Sequence, residues 1–153
     1  MRRHFLIRCF HWLLSLGIVV NYEFLESGGE LHEWLGWALG ALVVLRVVAG
    51  FVSRGDASFA RLNLAPGLVL QDLRSLAGRY TDHENHSAAG SWMIVVILAL
   101  VLLLAVTGWM QDLDAFWGEE WLQNIHEWLA HALVALAPLP VLAVMIIQFG
   151  HGV

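Results

Sequence analysis

Lysine is absent from this sequence, and charged side chains of either sign are scarce. They make up 14% of the 153 residues, whereas hydrophobic residues make up 59%, and the mean hydropathy is +0.67. Such a composition excludes an ordinary soluble domain and indicates a membrane protein. The eight tryptophans agree with this, because indole rings favour the headgroup level of a bilayer. We expect membrane lipid as a partner and no nucleic acid.

Cysteine is almost absent as well, since Cys9 is the only one. A single thiol excludes a disulfide within the chain and an iron–sulfur cluster held by cysteines. The sequence also has no Cys-x-x-Cys-His motif, which excludes covalent attachment of a c-type haem. A haem in this chain would have to be held without covalent bonds, by histidine ligands and packing.

Four long apolar runs are present, and they predict an all-α protein. The basic start of the first run imitates a signal peptide but lacks a small-x-small cleavage motif, so we interpret it as an uncleaved transmembrane helix. The predicted fold is a bundle of four transmembrane helices that forms one membrane-embedded domain, residues 1–153. The helices are predicted at 5–22, 31–52, 88–110 and 121–148.

The eight arginines fall on the N-terminus, on the end of the second run and on the segment between the second and third runs. Four spans bring these three regions to one side, which the positive-inside rule makes cytoplasmic. We therefore expect a multi-pass protein of the bacterial inner membrane, with both termini cytoplasmic and two acidic loops facing outward. The arginines are residues 2, 3, 8, 46, 54, 61, 74 and 79.

A short repeat opens the second and fourth runs. Leu-His-Glu-Trp-Leu at 31–35 returns as Ile-His-Glu-Trp-Leu at 125–129. The predicted topology makes these two helices parallel, so His32 and His126 would both lie in a first turn on the outer side. Two imidazoles on facing helices can fill both axial positions of a haem iron, which leaves one-electron transfer as the natural role. The alternative is that these His and Trp residues only mark the membrane interface.

Other polar or helix-breaking residues also lie inside the apolar runs. His11 lies about two turns into the first helix, where an ionisable group usually faces the bundle and marks function. Arg46, near the cytoplasmic end of the second helix, would either pair with a haem propionate or extend to the interface. His131 is interpreted first as a packing residue. Pro138 and Pro140 are predicted to kink the fourth helix, because each removes a helical hydrogen bond.

The segment 53–86 is the longest polar stretch of the chain. Within it, residues 68–76 predict a short amphipathic helix on the membrane surface. The Asp, His and Glu residues at 82–86 are compatible with a metal site, but a solvated turn is favoured because no second cluster of ligands accompanies them.

The chain resembles the four-helix bacterial membrane cytochromes b, which include bacterial cytochrome b561 and the cytochrome b subunits of nickel–iron hydrogenases. The resemblance covers essentially the whole chain. It is carried by Arg-Cys-Phe-His-Trp at 8–12, His-Glu-Trp at 32–34, Leu-Arg at 45–46, Ser-Phe-Ala-Arg at 58–61, His-Ser-Ala-Ala-Gly at 86–90 and His-Glu at 126–127.

The resemblance implies two b haems, one near each membrane face, and for this chain we expect one or two. The outer haem would use His32 and His126, the pair that the repeat also indicates. The inner haem would use His11 and a second histidine of the fourth helix, but this chain has Leu139 at that position. His86 or His151 would then be a substitute ligand, or the inner site would be five-coordinate or absent.

The resemblance also implies a function in a respiratory chain. The protein would pass electrons between the quinone pool and a periplasmic or membrane-bound redox protein, a c-type cytochrome or an oxidoreductase subunit. Whether the chain is itself a subunit of a quinone-linked oxidoreductase stays open. The alternatives are a haem-free membrane anchor subunit and a small proton or ion transporter, and the visible spectrum of the purified protein separates them from a cytochrome.

Overall fold

Four α-helices make up most of the described structure, and none of the described residues forms a β-strand. The computed structural model describes residues 2–53, 58–62, 64–65, 67 and 88–138. The predicted all-α class is confirmed. The helices are α1 (Arg2–Glu23), α2 (Glu30–Val52), α3 (Ala88–Gln111) and α4 (Glu120–Leu136), and a short 3-10 helix follows α2 at Phe59–Arg61.

The loops before α2 and α4 share two features. Each loop contains a glycine with positive φ, +75° at Gly28 and +77° at Gly118, a conformation that other residues adopt only with strain. Each glycine is followed by a helix with acidic residues in its first turn: Glu30 and Glu33 in α2, Glu120 in α4. Carboxylates at a helix N-terminus are favourable because they oppose the helix dipole.

The helices pack in sequence order and close into a bundle, with α1 on α2, α2 on α3, α3 on α4 and α4 back on α1. Consecutive neighbours run antiparallel, so α2 and α4 are parallel, as predicted from the arginines. Small residues permit close contact: a Cβ added at Gly40 would lie 2.9 Å from the Cβ of Ala105 on α3. The buried core is aliphatic and consists of Leu14, Ile18, Leu39, Val43, Leu98, Val101 and Leu133.

Two of the described helices are long and apolar enough to cross a membrane, Glu30–Val52 and Gly90–Gln111. Only 22% and 17% of their apolar windows are buried in the bundle. Most of their hydrophobic side chains are therefore exposed or only half-buried, as in helices that face lipid rather than in helices of a soluble core.

The helix boundaries depart from the sequence-based prediction mainly at the chain ends. The first helix begins at Arg2, three residues before the predicted start. The fourth ends at Leu136, two residues before Pro138, whose nitrogen carries no hydrogen and cannot donate the next helical hydrogen bond. The predicted continuation to residue 148 and the predicted surface helix at 68–76 lie outside the described residues.

Candidate functional site

His32 and His126 face each other across the bundle. The centroids of their rings are 6.3 Å apart, with 62° between the ring planes. His32 lies in the first turn of α2, as predicted, but His126 lies in the second turn of α4. The prediction of a first-turn position is wrong for His126, because α4 begins at Glu120, one residue before the predicted start and six residues before His126. The two rings nevertheless meet at one level.

The separation of the rings suits two imidazoles that share one metal ion. A metal–imidazole bond is about 2 Å long and a ring nitrogen lies about 1 Å from the ring centroid, so two such ligands hold their centroids about 6 Å apart. Within the described part of the chain, no group of three His, Cys, Asp or Glu side chains could hold a metal by itself. The pair therefore fits a metal whose other ligands come from a cofactor, as those of haem iron do.

Hydrogen bonds to the Nδ1 atoms direct both rings. The Nδ1 of His32 lies 3.3 Å from the backbone oxygen of Asn21, which can only accept, so this Nδ1–H donates. The Nδ1 of His126 lies 2.8 Å from Oγ1 of Thr107 on α3. With Nδ1 engaged on each ring, Nε2 is the nitrogen left for a metal. Histidines that bind metals usually hold their second nitrogen in this way.

The two rings border a cleft that runs between the helices and opens at the outer loops. The cavity within this cleft has a volume of about 160 Å³. A Cβ added at Gly36, one turn after His32, would meet only Nδ2 of Asn21, at 3.9 Å, so the glycine leaves open space there. Asn21 Oδ1 is buried beside it without a hydrogen-bond partner in the described structure. The residues thus fit a flat, largely apolar group.

The other residues predicted from the sequence do not join this pair. His11 is exposed on α1, with its ring edge-on to Phe10. The Arg46 guanidinium lies 5.0 Å above the centroid of the Phe59 ring. His86, Leu139 and His151 lie outside the described residues. The assignments to an inner haem therefore stay predictions.

His131 is an exposed residue of α4 with two aromatic neighbours. Its ring lies edge-on to Tyr22, at 6.0 Å, and to Trp128, at 6.4 Å. These contacts agree with its interpretation as a packing residue rather than as a partner of His32.

Sequence reasoning missed Thr107 and the backbone of Asn21, which contact the two rings. In the sequence, Thr107 stands out only as a hydroxyl in an otherwise apolar stretch. Its contact with His126 can be recognised only when the packing of α3 against α4 is known. The contact made by Asn21 carries no sequence signal, because it comes from a main-chain oxygen.

One comparison with known proteins found a match. The chain matches no curated protein and no solved structure. The family model of prokaryotic cytochrome b561 matches residues 2–152, which is nearly the whole chain. The chain therefore belongs to the prokaryotic cytochrome b561 family, as its motifs indicated, and is a membrane b-type cytochrome of electron transfer.

Proposed function

We propose that this protein passes electrons between the quinone pool and a redox partner at the outer membrane face, through a haem b whose iron His32 and His126 ligate. The observation that carries the proposal is the facing pair of imidazoles, 6.3 Å apart, with the second nitrogen of each ring engaged. Family membership supports haem b and electron transfer, and the pair supplies the two ligands that this requires.

The surroundings of the pair suit electron transfer rather than chemistry on a bound substrate. A haem iron with two histidine ligands takes up and releases single electrons and has no free position for oxygen. Asn21 and Thr107 orient the two imidazoles. Leu39, Val101 and Leu133 are buried side chains of the cleft wall and keep water from its interior. A dry apolar wall and the ligands together set the reduction potential.

The proposed placement is a single domain, residues 1–153, in the bacterial inner membrane. The arginines put the ends of the chain and the segment after α2 in the cytoplasm. The loops before α2 and α4, and with them the mouth of the cleft, then face the periplasm. Electrons would leave or enter the haem on that side.

The outer loops are acidic and exposed, which supports a basic redox partner such as a c-type cytochrome. A charged surface of this kind steers a partner of opposite charge. The alternative explanation is that the uneven distribution of charge between the two sides only fixes the orientation of the helices in the membrane. The exposed acidic residues are Glu23, Glu26, Glu30, Asp112, Asp114, Glu119 and Glu120.

An inner haem is a second part of the proposal and rests on the family resemblance. His11 would be one ligand, with His86 as a substitute for the missing histidine at Leu139. Arg46 would pair with propionates: it lies fourteen residues after His32, or roughly 21 Å along the helix, too far to serve the outer haem.

Replacement of each histidine by leucine tests the ligand pair. His32→Leu and His126→Leu should each abolish the low-spin bis-histidine signal of the outer haem in the visible and electron paramagnetic resonance spectra and lower the haem content by one per chain. His131→Leu is the matched control, since it removes an imidazole from α4 that contacts Tyr22 and Trp128 instead of His32. Retention of the signal in both ligand variants would refute the assignment, and a colourless wild-type protein would favour a haem-free anchor or a transporter.

A further inference from the structure

We propose that Thr107 is a positioning residue, which fixes the tautomer and orientation of His126 and thereby lowers the reduction potential of the outer haem. The inference rests on the proposed ligation of haem by His126. The inference goes beyond that ligation, because it assigns a role to a side chain of α3, a helix that supplies no ligand.

Thr107 is one of two buried polar side chains in the described structure, with Ser91, and 8% of its surface is exposed. Both belong to α3, a helix of otherwise almost wholly apolar side chains. Oγ1 of Thr107 lies 2.8 Å from the carbonyl oxygen of Leu103, 3.2 Å from that of Leu104 and 2.8 Å from Nδ1 of His126. The hydroxyl therefore joins the backbone of α3 to an imidazole of α4.

The chemistry of the partners decides the direction of each hydrogen bond. The threonine hydroxyl has one hydrogen, and the carbonyl oxygens of Leu103 and Leu104 can only accept it. With its hydrogen directed to these carbonyls, Oγ1 accepts the third contact and Nδ1 of His126 carries the proton and donates, which is the tautomer that ligation through Nε2 requires. This leaves Nε2 of His126 unprotonated, which is the form that can bind a metal.

A threonine in an apolar helix often bonds to the carbonyl four residues earlier, and that contact alone would be structural. Two features separate Thr107 from that case. The hydroxyl accepts from a proposed metal ligand at a short distance, and the ring also lies against Gly108, where an added Cβ would be in ordinary contact with Cε1 of His126, at 3.5 Å. Together they set the rotation of the imidazole about its own axis.

The two ligands differ in how their second nitrogen is held. His32 donates to a backbone oxygen at 3.3 Å, a contact that no side-chain substitution at Asn21 removes directly. His126 donates to a side chain at 2.8 Å. Donation from Nδ1 makes an imidazole a more basic ligand, which favours the oxidised iron over the reduced iron. A substitution at Thr107 can therefore change directly how basic the His126 ligand is.

The variants Thr107→Val and Thr107→Ser separate the hydroxyl from the shape of the side chain. Valine keeps the volume and loses the hydroxyl, so the midpoint potential should rise and the electron paramagnetic resonance g values should change. Serine keeps the hydroxyl and should restore both properties to near the wild-type values. Ser91→Ala is the control, since it removes a buried hydroxyl from the same helix roughly 24 Å away and should leave the outer haem unchanged.

A valine variant with the wild-type potential and g values would overturn the proposal. If that variant fails to retain haem, Thr107→Ala and Thr107→Ser decide instead: recovery with serine alone supports the role of the hydroxyl, and equal behaviour of the two overturns it. A wild-type protein without a low-spin haem spectrum would refute the ligand pair itself. An intact spectrum that is indifferent to Thr107 would refute only the inference about Thr107.

Discussion

Replacement of Gly40 by alanine tests the close contact between α2 and α3 beside the cleft. The added Cβ would lie 2.9 Å from the Cβ of Ala105. Carbon atoms pack best at about 3.5–4.0 Å, so the helices would have to separate by roughly 0.6–1 Å. Overpacking of this kind costs about 1–3 kcal/mol of the free energy of unfolding.

Thermal unfolding of the detergent-solubilised protein measures this cost. At about 2–4 °C per kcal/mol for a chain of this size, Gly40→Ala should lower the Tm by roughly 2–12 °C. The double variant Gly40→Ala with Ala105→Gly should recover most of the loss, because only one methyl group then lies between the helices. A wild-type Tm for Gly40→Ala, or no recovery in the double variant, would refute the packing argument.

Gly36→Ala is the matched comparison on the same helix. Its new methyl would meet only Nδ2 of Asn21, at 3.9 Å, so the contact between helices should not change. The methyl projects toward the proposed haem position, however. We expect this variant to lower the haem content while leaving the Tm of the haem-free protein near that of the wild type.

Three further predictions concern the proposed function. Reporter fusions at Val153 and in the loop 112–119 should give opposite sides of the membrane, and a periplasmic C-terminus would contradict the four-helix topology. Electron transfer to a basic soluble cytochrome, followed by stopped flow, should slow as ionic strength rises because salt screens the acidic loops; a constant rate would argue against electrostatic docking. A pyridine haemochrome assay should give two haems per chain, falling to one in His11→Leu, whereas one haem that is indifferent to His11 would show that the inner site has been lost.

The repeat and the arginines carried most of what could be predicted from the sequence. Added to the four apolar runs, which predicted the helices, they gave the parallel arrangement of α2 and α4 and the pair His32 and His126 that the structure brings together. The repeat is a local pattern, and the topology follows from where the arginines lie along the chain. Neither requires three-dimensional information.

Features that depend on how helices pack could not be predicted in this way. The level at which the ring of His126 meets that of His32 depends on how α4 sits in the bundle, where Leu122 is buried. The role of Thr107 depends on which face of α3 meets α4. In both cases the role of a side chain depends on a neighbour on another helix, and the spacing of residues along the chain does not identify that neighbour.

The chain divides into two helical hairpins, and each supplies one of the two facing imidazoles. His32 belongs to the hairpin of α1 and α2, which leaves the ribosome first, and His126 to the hairpin of α3 and α4. Each hairpin can insert into the bilayer before the other exists, as independent spans do. A cofactor ligated by both hairpins would link them, and its binding would stabilise only the assembled bundle. The supply of haem in the cell would then limit how much of the protein assembles into the complete bundle.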